Sequence, residues 1–460
     1  MTGQGKRIFA VIVTAALLVS AAAVLLSPRW GLADYGSQGA NVILISIDTL
    51  RGDRLGCSGH HRNTSPFVDR LSEDSVNFRS TYSHAPSTTS SHASIFTSLL
   101  PSHHGASCAQ HRPIPRQLTT MAERLQADGY DTVSFNDGGQ VSAEFGFDHG
   151  FDEYNSIRHG AHGHSDFRFT VEQAIAWLRG RKAGRFFLFL HTYQTHHPYT
   201  PKPYYYDLMG EAYDGLLPNE ATMELLTQIN RGERPLTPAD REHISTLYDA
   251  EIRQMDAAFG WLVSELKRKK LYDDTLIIFT SDHGEEFGEH GTMGWHSHTL
   301  YDELLRVPLI IKFPNGAFAG REVDQPVRSI DILPTLLDVL DLEPPKILEG
   351  RSLVPMIKGF DRAPRLTIAR QDYADPEPVI LRTGRWKYYL RPGQQPSLYD
   401  LASDPGEQEN SAHNHPEVVA DLQQTLDEII AGRPVIETAE GVELSRELQD
   451  QLRALGYIDE

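Results

Sequence analysis

The chain has 460 residues, of which 43 are lysine or arginine and 62 are aspartate or glutamate, so its formal net charge is −19 at pH 7. A chain of this length can bury a large hydrophobic core. Its acidic balance argues against a nucleic-acid partner, because phosphate backbones require basic protein surfaces.

The N-terminal segment is apolar. Lys6 and Arg7 precede an uncharged run, residues 8–26, which can just span a bilayer, because spanning takes about 17–25 residues. We interpret residues 1–33 as a signal peptide or a transmembrane anchor and residues 34–40 as a linker. Basic residues ahead of the run favour a cytoplasmic N-terminus. The rest of the chain is therefore expected in the periplasm or outside the cell, either anchored to the membrane or secreted after cleavage.

Three segments farther along carry polar side chains at the ends of predicted elements. Residues 42–48 (VILISID) and residues 276–283 (LIIFTSDH) each read as a buried strand followed by carboxylate or imidazole groups. Residues 85–97 (APSTTSSHASIFT) place Thr88 just ahead of a helix predicted to start near Ser90, where an anion is favoured. Ligands of parallel sheets bind beyond the carboxyl ends of the strands, so these groups are expected to meet at one edge.

Taken in chain order, these segments resemble the sulfatase family of the alkaline phosphatase superfamily, and the resemblance covers residues 41–410. The resemblance implies an α/β fold with a mostly parallel central sheet, helices on both faces, and a small C-terminal antiparallel-sheet subdomain. Further matching segments, in chain order, are GFDHGFDEY, FFLFLHTYQTHHPY, YDAEIRQMDAAFG, LYDELLRVPLIIK, SIDILPTLLDVL, EGRSL, RTGRWKYYL and SLYDLASDPGEQEN.

The same resemblance suggests how the chain is divided. Residues 41–360 are expected to form the catalytic α/β domain. Residues 361–432 are expected to form a small α+β subdomain, in which runs such as VILRTGRWKYYLR favour strands. Residues 433–460 carry leucines at helical spacing, which predicts a tail helix that docks on the domain. The sequence does not indicate an oligomeric state.

One departure from the family pattern concerns the nucleophile. Sulfatases carry Cys or Ser in a C-x-P-S-R pattern that is converted to formylglycine, whereas residues 88–92 of this chain read TTSSH. Threonine cannot become formylglycine, so the resemblance implies a variant in which Thr88 forms a covalent ester that water then hydrolyses. Threonine-dependent branches of the superfamily cleave phosphonate monoesters and phosphodiesters. Both sulfate and phosphate esters, of a glycan or a lipid, therefore stay open as substrates.

The resemblance also implies a metal site. Asp48, Asp282 and His283 are expected to hold one divalent cation together with the Thr88 hydroxyl. The usual family set of Asp-Asp and Asp-Asn is all oxygen and suits calcium, whereas this chain has Thr49 in place of one carboxylate and an imidazole in place of an amide. We therefore expect zinc or manganese, with calcium or magnesium as alternatives. A second ion is not expected, because HTYQTHHPY supplies no carboxylate.

Histidines are expected to protonate the leaving group, since their pKa lies near neutrality. His196 matches the family histidine of the P-H-x-P-Y segment, and His296 matches the histidine ahead of the L-Y-D-E segment, with His298 as a rival. His92 takes the place of the arginine in C-x-P-S-R and is assigned to the catalytic group by that position. Glu285 is expected to lie in a solvated acidic loop.

The sequence thus predicts a metal-dependent sulfatase-family hydrolase of sulfate or phosphate esters. One alternative is a membrane-anchored transferase that passes a phosphoethanolamine or glycerophosphate group to an envelope lipid or glycan. A non-catalytic glycan-binding member is the other. The anchor favours the transferase, and the C-terminal subdomain favours hydrolysis. Cys57 and Cys108 can pair if the domain lies in an oxidising compartment.

Overall fold

The structure is a computed structural model that describes residues 39–157, 165–210, 212–374, 376–432 and 436–457. The signal peptide or anchor predicted for residues 1–33 lies outside the described residues. Among the helices that are described, none combines the length and apolar character needed to cross a bilayer.

The centre of the molecule is a nine-stranded sheet with the order β10-β2-β9-β6-β1-β5-β3-β4 and with β11 beside β2. Its neighbouring strands are parallel except at β9, which runs antiparallel to both β2 and β6. A separate two-stranded sheet pairs β7 with β8. The strands are β1 (Asn41–Ile47), β2 (Val76–Tyr82), β3 (Asp131–Asn136), β4 (Glu153–Ser156), β5 (Phe186–Thr192), β6 (Thr275–Thr280), β7 (Glu286–Phe287), β8 (Met293–Trp295), β9 (Arg306–Lys312), β10 (Arg321–Val323) and β11 (Val327–Arg328).

Helices pack on both faces of this sheet, with further helices in the C-terminal part of the chain. They are α1 (Pro66–Glu73), α2 (Thr88–Thr97), α3 (Pro101–His104), α4 (Met121–Ala127), α5 (Phe167–Gly180), α6 (Pro203–Asp207), α7 (Met223–Asn230), α8 (Pro238–Arg268), α9 (Asp302–Leu305), α10 (Ile332–Leu340), α11 (Val354–Ile357), α12 (Pro416–Ala431) and α13 (Arg446–Ala454).

Each central strand contributes side chains to two hydrophobic cores. In β1, Val42 and Leu44 join a cluster with α2, α4, α10 and α13, whereas Ile43 and Ile45 join a cluster with α1, α5 and α8. A strand that is buried on both faces has no polar face, which explains the uninterrupted apolar run. The predicted mostly parallel sheet with helices on both faces is confirmed.

The C-terminal part forms a four-stranded antiparallel sheet with the order β12-β13-β14-β15. Its strands are β12 (Thr367–Arg370), β13 (Val379–Arg382), β14 (Trp386–Leu390) and β15 (Ser397–Asp400). The apolar side of α12 packs on this sheet, since Leu422 and Leu426 share a core cluster with Tyr388. The predicted small antiparallel sheet is therefore also confirmed.

Candidate active site

The two predicted carboxylate ligands lie at the same edge of the central sheet. Strands β1 and β6 are parallel neighbours in which Ser46 pairs with Thr280, so Asp48 and Asp282 each follow two residues later at one level. Both carboxylates are fully buried. The chain turns immediately after Asp48, where Thr49 takes a left-handed φ of 55°. A β-branched residue in that region is strained, which indicates that the surrounding structure fixes this turn.

Thr88 is the first residue of α2, and its hydroxyl points toward these ligands. Its Oγ1 donates to Asp48 Oδ2 at 3.0 Å and lies 3.4 Å from His283 Nε2. The His283 Nδ1–H donates to the Gly284 carbonyl at 2.9 Å, which leaves the Nε2 lone pair directed at Thr88. The structure thus brings together all four residues expected to hold a metal ion.

The electrostatics of this group fit a divalent cation. The ligand atoms of Asp48, Asp282 and His283 lie within 4.8 Å of one another. Within the described part of the chain, Asp48 Oδ1 and Asp282 Oδ2 are buried without a hydrogen-bond partner. Burial and then the neighbouring Asp282 charge raise the pKa of Asp48 well above its usual value. Burial acts in the same direction on Asp282, but the nearby imidazoles of His283, His92 and His191 together outweigh it and lower the Asp282 pKa to about 2. Unmatched carboxylate oxygens in a buried site are what a cation neutralises.

His92 lies behind Thr88 rather than in front of it. Its Nδ1–H donates to the Thr88 carbonyl at 2.9 Å, and its Nε2 accepts from Ser46 Oγ at 2.9 Å. The same Nδ1 is 3.5 Å from Asp282 Oδ2. Burial lowers the His92 pKa to about 4, so the ring is neutral near pH 7. This geometry suits a residue that positions α2, the helix that begins with Thr88. The assignment of His92 to the catalytic group stays a prediction.

The expectation that Glu285 lies in a solvated loop is wrong. Its carboxylate is fully buried, 2.9 Å from His296 Nδ1 and 3.5 Å from His197 Nδ1, and it accepts a 2.9 Å hydrogen bond from the Tyr199 hydroxyl. Burial tends to raise the pKa of Glu285, but the adjacent imidazoles outweigh burial and hold it well below its usual range. An acidic run in sequence gave no sign of these partners, which come from other segments. Glu285 fixes the orientation of two site histidines.

The two predicted leaving-group histidines lie beside the predicted ligand group, where the rings of His283 and His296 are 4.6 Å apart, and share an unexpected partner. His196 Nε2 and His296 Nε2 are each 2.9 Å from the hydroxyl of Tyr457. Burial lowers the pKa of His296 to about 4 and that of His196 well below its usual value, with a further contribution from His197. His196, His197 and His296 form a second group close enough to hold an ion. Two of their nitrogens already bond to the phenol of Tyr457.

His298, the rival to His296, lies farther out. Its ring stacks on Trp295 at a centroid distance of 5.8 Å, on the wall of a cavity of about 180 Å³ beside the site. The same cavity is bordered by His296 and Tyr457. His298 therefore lies on the approach to the site, whereas His296 lies within it.

The C-terminal subdomain supports the start of α2 through Asp372, which no sequence pattern indicated. This buried carboxylate accepts hydrogen bonds from Ser87 at 2.8 Å, Ser90 at 2.7 Å and Ser107 at 2.8 Å. An anion at a helix N-terminus is stabilised by the helix dipole. Asp372 thus fixes the turn that presents Thr88, across a sequence separation that no local pattern reveals.

The pairing of Cys57 with Cys108 is not observed, and both cysteines are free. Cys57 packs against the core cluster on one face of the central sheet, whereas Cys108 belongs to the cluster on the other face. A disulfide requires Cα atoms within about 7 Å, which this separation by a buried sheet prevents.

Two family models match this chain. The model "Sulfatase" matches residues 40–342, and the model "N-sulphoglucosamine sulphohydrolase, C-terminal" matches residues 288–432. The first of these spans the central sheet with all four predicted metal ligands, and the second spans the antiparallel sheet.

Similar proteins include sulfatases and phosphonate hydrolases. The chain is 27% identical to the ulvan-active sulfatase of Formosa agariphila, over 90% of this chain and 81% of the relative. It is 25% identical to the mouse (Mus musculus) arylsulfatase K, over 86% of this chain and 80% of the relative. Among solved structures, the phosphonate monoester hydrolase of Agrobacterium radiobacter superposes with a TM-score of 0.70 at 24% identity, over 85% of this chain and 95% of the other.

Proposed function

Because this chain belongs to the sulfatase family, a family of ester hydrolases, we propose that it hydrolyses sulfate or phosphate esters through a covalent intermediate on Thr88. One observation carries the proposal. The Thr88 hydroxyl, at a helix N-terminus, lies 3.0 Å from Asp48 Oδ2 and 3.4 Å from His283 Nε2, beside two carboxylate oxygens without partners in the described chain.

The proposed reaction has two displacements. Thr88 Oγ1 attacks the sulfur or phosphorus atom, the bond from that atom to the leaving oxygen breaks, and Asp48 accepts the hydroxyl proton along its hydrogen bond. Water then attacks the threonyl ester and releases sulfate or phosphate with the Thr88 hydroxyl restored. This route requires no formylglycine, which matches the presence of threonine at this position.

Asp48, Asp282, His283 and Thr88 are the residues that would hold a divalent cation. Such an ion, when bound, lowers the pKa of the nucleophile and neutralises charge on the ester group. The donor set of oxygen and imidazole nitrogen favours zinc or manganese over calcium or magnesium. Ligands of this kind bind when deprotonated, so metal affinity is expected to fall at acid pH.

Protonation of the leaving oxygen is assigned to His196 or His296, each of which must first take up a proton at Nε2, because burial lowers the pKa of both rings. The Nε2 atoms of both rings meet at the Tyr457 hydroxyl, and Glu285 holds the Nδ1–H of His296. A carboxylate on the far nitrogen fixes the tautomer and stabilises the imidazolium that carries the proton. Export of this domain through the segment at residues 1–33 is part of the proposal.

An ester panel with purified full-length protein tests the proposal. Aryl sulfate, aryl phosphate, phosphodiester and phosphonate monoester are compared with added zinc, manganese, calcium or magnesium, for the wild type, Thr88→Ala and Thr88→Ser. We expect turnover of at least one ester, its loss by about 10³-fold or more in Thr88→Ala, and partial activity in Thr88→Ser, which keeps a hydroxyl. Full activity in Thr88→Ala contradicts the assignment of the nucleophile.

A further inference from the structure

The C-terminal tail is firmly attached to the catalytic domain. Leu444, Leu448 and Leu452 are buried in the core on one face of the central sheet. Ser445 donates to the Glu144 carboxylate through both its amide, at 2.8 Å, and its hydroxyl, at 2.5 Å. These contacts hold α13 in place across the surface of the domain.

The tail turns into the site just after α13. Gly456 adopts a left-handed φ of 78°, and the Tyr457 amide donates to the Leu452 carbonyl at 2.9 Å, which is the Schellman arrangement of a helix C-terminus. A Cβ at Gly456 would lie 1.9 Å from Met223 Cε. Only glycine fits this turn without strain, and the turn directs the Tyr457 side chain inward.

The phenol of Tyr457 reaches the centre of the site. Its hydroxyl lies 2.9 Å from both His196 Nε2 and His296 Nε2 and within hydrogen-bonding reach of the Thr88 hydroxyl. The Nδ1 atoms of both histidines donate elsewhere, to the His197 carbonyl at 2.6 Å and to Glu285 at 2.9 Å. Each Nε2 can therefore accept a hydrogen bond, but the Tyr457 phenol has only one proton to donate to the two nitrogens.

An ester poised for reaction needs the same space. The attacked atom must lie about 3–3.5 Å from Thr88 Oγ1, with the leaving oxygen beyond it and close to the histidines. The Tyr457 hydroxyl already lies close to Thr88 and bonds to both histidines. A substrate and the phenol therefore cannot occupy this position together.

We propose that Tyr457 occupies the leaving-group position, so that an ester reaches Thr88 only by displacing the phenol. The proposal rests on the function proposed above. The displaced segment is short, because the anchoring leucines end at Leu452 while Arg453, Ala454 and Gly456 are exposed. Displacement of the phenol lowers the apparent affinity of every such ester by the same factor.

Whether the Tyr457 phenol occupies this position can be tested without turnover. Histidines of the full-length protein are labelled with diethyl pyrocarbonate, and mass spectrometry measures the rate at which each one is modified. Tyr457→Ala is expected to speed modification of His196 and His296 by about fivefold or more, because the free fraction of the site rises. Added p-cresol, which reproduces the lost side chain, is expected to slow it again. Arg453→Ala is the control, since this exposed side chain pairs with Asp450 on its own helix. Equal labelling of wild type and Tyr457→Ala overturns the proposal.

A second variant tests the proposal independently of any local misfolding caused by Tyr457→Ala. Gly456→Ala keeps the phenol but strains the turn that delivers it, and it is expected to speed labelling in the same direction as Tyr457→Ala. Unchanged labelling in Gly456→Ala, with unchanged thermal stability, contradicts delivery of the phenol by this turn.

The kinetic consequence is measured on an ester identified by the panel. Tyr457→Ala is expected to lower KM by about tenfold with kcat within about twofold, because competition by the tail reduces apparent affinity. A fall in kcat at unchanged KM overturns the proposal and makes the phenol a participant in the reaction. Absence of Thr88-dependent turnover refutes the proposed function instead, and the labelling result still decides whether Tyr457 occupies the site.

Discussion

At the scale of single residues, the chemistry depends on which atoms lack partners. Asp48 Oδ1 and Asp282 Oδ2 have none within the described residues, and His283 presents Nε2 because its Nδ1–H is held by the Gly284 carbonyl. Two oxygens and one nitrogen at one point favour a borderline-soft cation over calcium.

Replacing the nitrogen ligand tests this choice of metal. His283→Asn restores the all-oxygen pattern of the wider family and is expected to weaken zinc binding by about 100-fold or more, since loss of even an outer partner costs 10–100-fold. Calcium binding is expected to be kept or strengthened. Competition titration with a chromophoric chelator measures both constants, and unchanged zinc affinity would exclude His283 as a ligand.

The sequence was sufficient to predict candidate site residues that lie at strand and helix ends. Asp48, Asp282 and His283 follow apolar strand runs, and Thr88 begins a helix, so short-range patterns identified them. Tyr457 and Glu285 could not be found this way, because their roles depend on partners in distant segments, such as the 261 positions between His196 and Tyr457. The periodicity of the tail indicates its helix but gives no information on a side chain beyond the helix end.

At the scale of elements, the antiparallel sheet is joined to the catalytic domain by a buried ion network. Lys387 on β14 is fully buried and contacts Asp302 at 2.9 Å and Glu407 at 2.8 Å, and Arg382 contacts Asp302 at 3.3 Å. Asp302 begins α9, directly after the loop that carries His296. The network therefore connects the subdomain to a wall of the site.

Removing the central cation of this network is expected to be costly. Lys387→Met keeps the volume but leaves the buried Glu407 carboxylate without its cation and Asp302 with Arg382 alone, so the free energy of unfolding should fall by about 3–5 kcal/mol. Arg385→Ala is the matched control, because Arg385 is largely exposed in its pair with Asp400 and its loss should change the free energy of unfolding far less. Denaturant unfolding measures both, and equal effects of the two variants would contradict the network's role.

At the scale of the whole molecule, buried histidines dominate the response to acid. Burial lowers the pKa of His84 to about 4 and that of His104 to about 3. His104 Nδ1 accepts from the Ala106 amide at 3.1 Å, so the folded ring is neutral. The unfolded chain binds protons on these rings below about pH 6.5, whereas the folded chain does not until lower pH.

Stability should therefore be intact above about pH 6.5 and should be lost as the pH falls toward 4. Each such histidine contributes a slope of about 1.4 kcal/mol per pH unit in that window. His104→Asn is expected to remove the contribution of one histidine from the slope of the free energy of unfolding against pH. His413→Asn, at an exposed position, is expected to leave that slope unchanged. Chemical denaturation at a series of pH values measures the slopes, and a flat profile would contradict neutral burial.

Rapid acid quench of the full-length enzyme during turnover, followed by high-resolution mass spectrometry of the peptide that contains Thr88, detects the covalent Thr88 ester itself. We expect a sulfo or phospho group on Thr88 of the wild type, and its absence from Thr88→Ala. Turnover by the wild type with an unmodified Thr88 at every quench time, and with equal activity in Thr88→Ala, would contradict it.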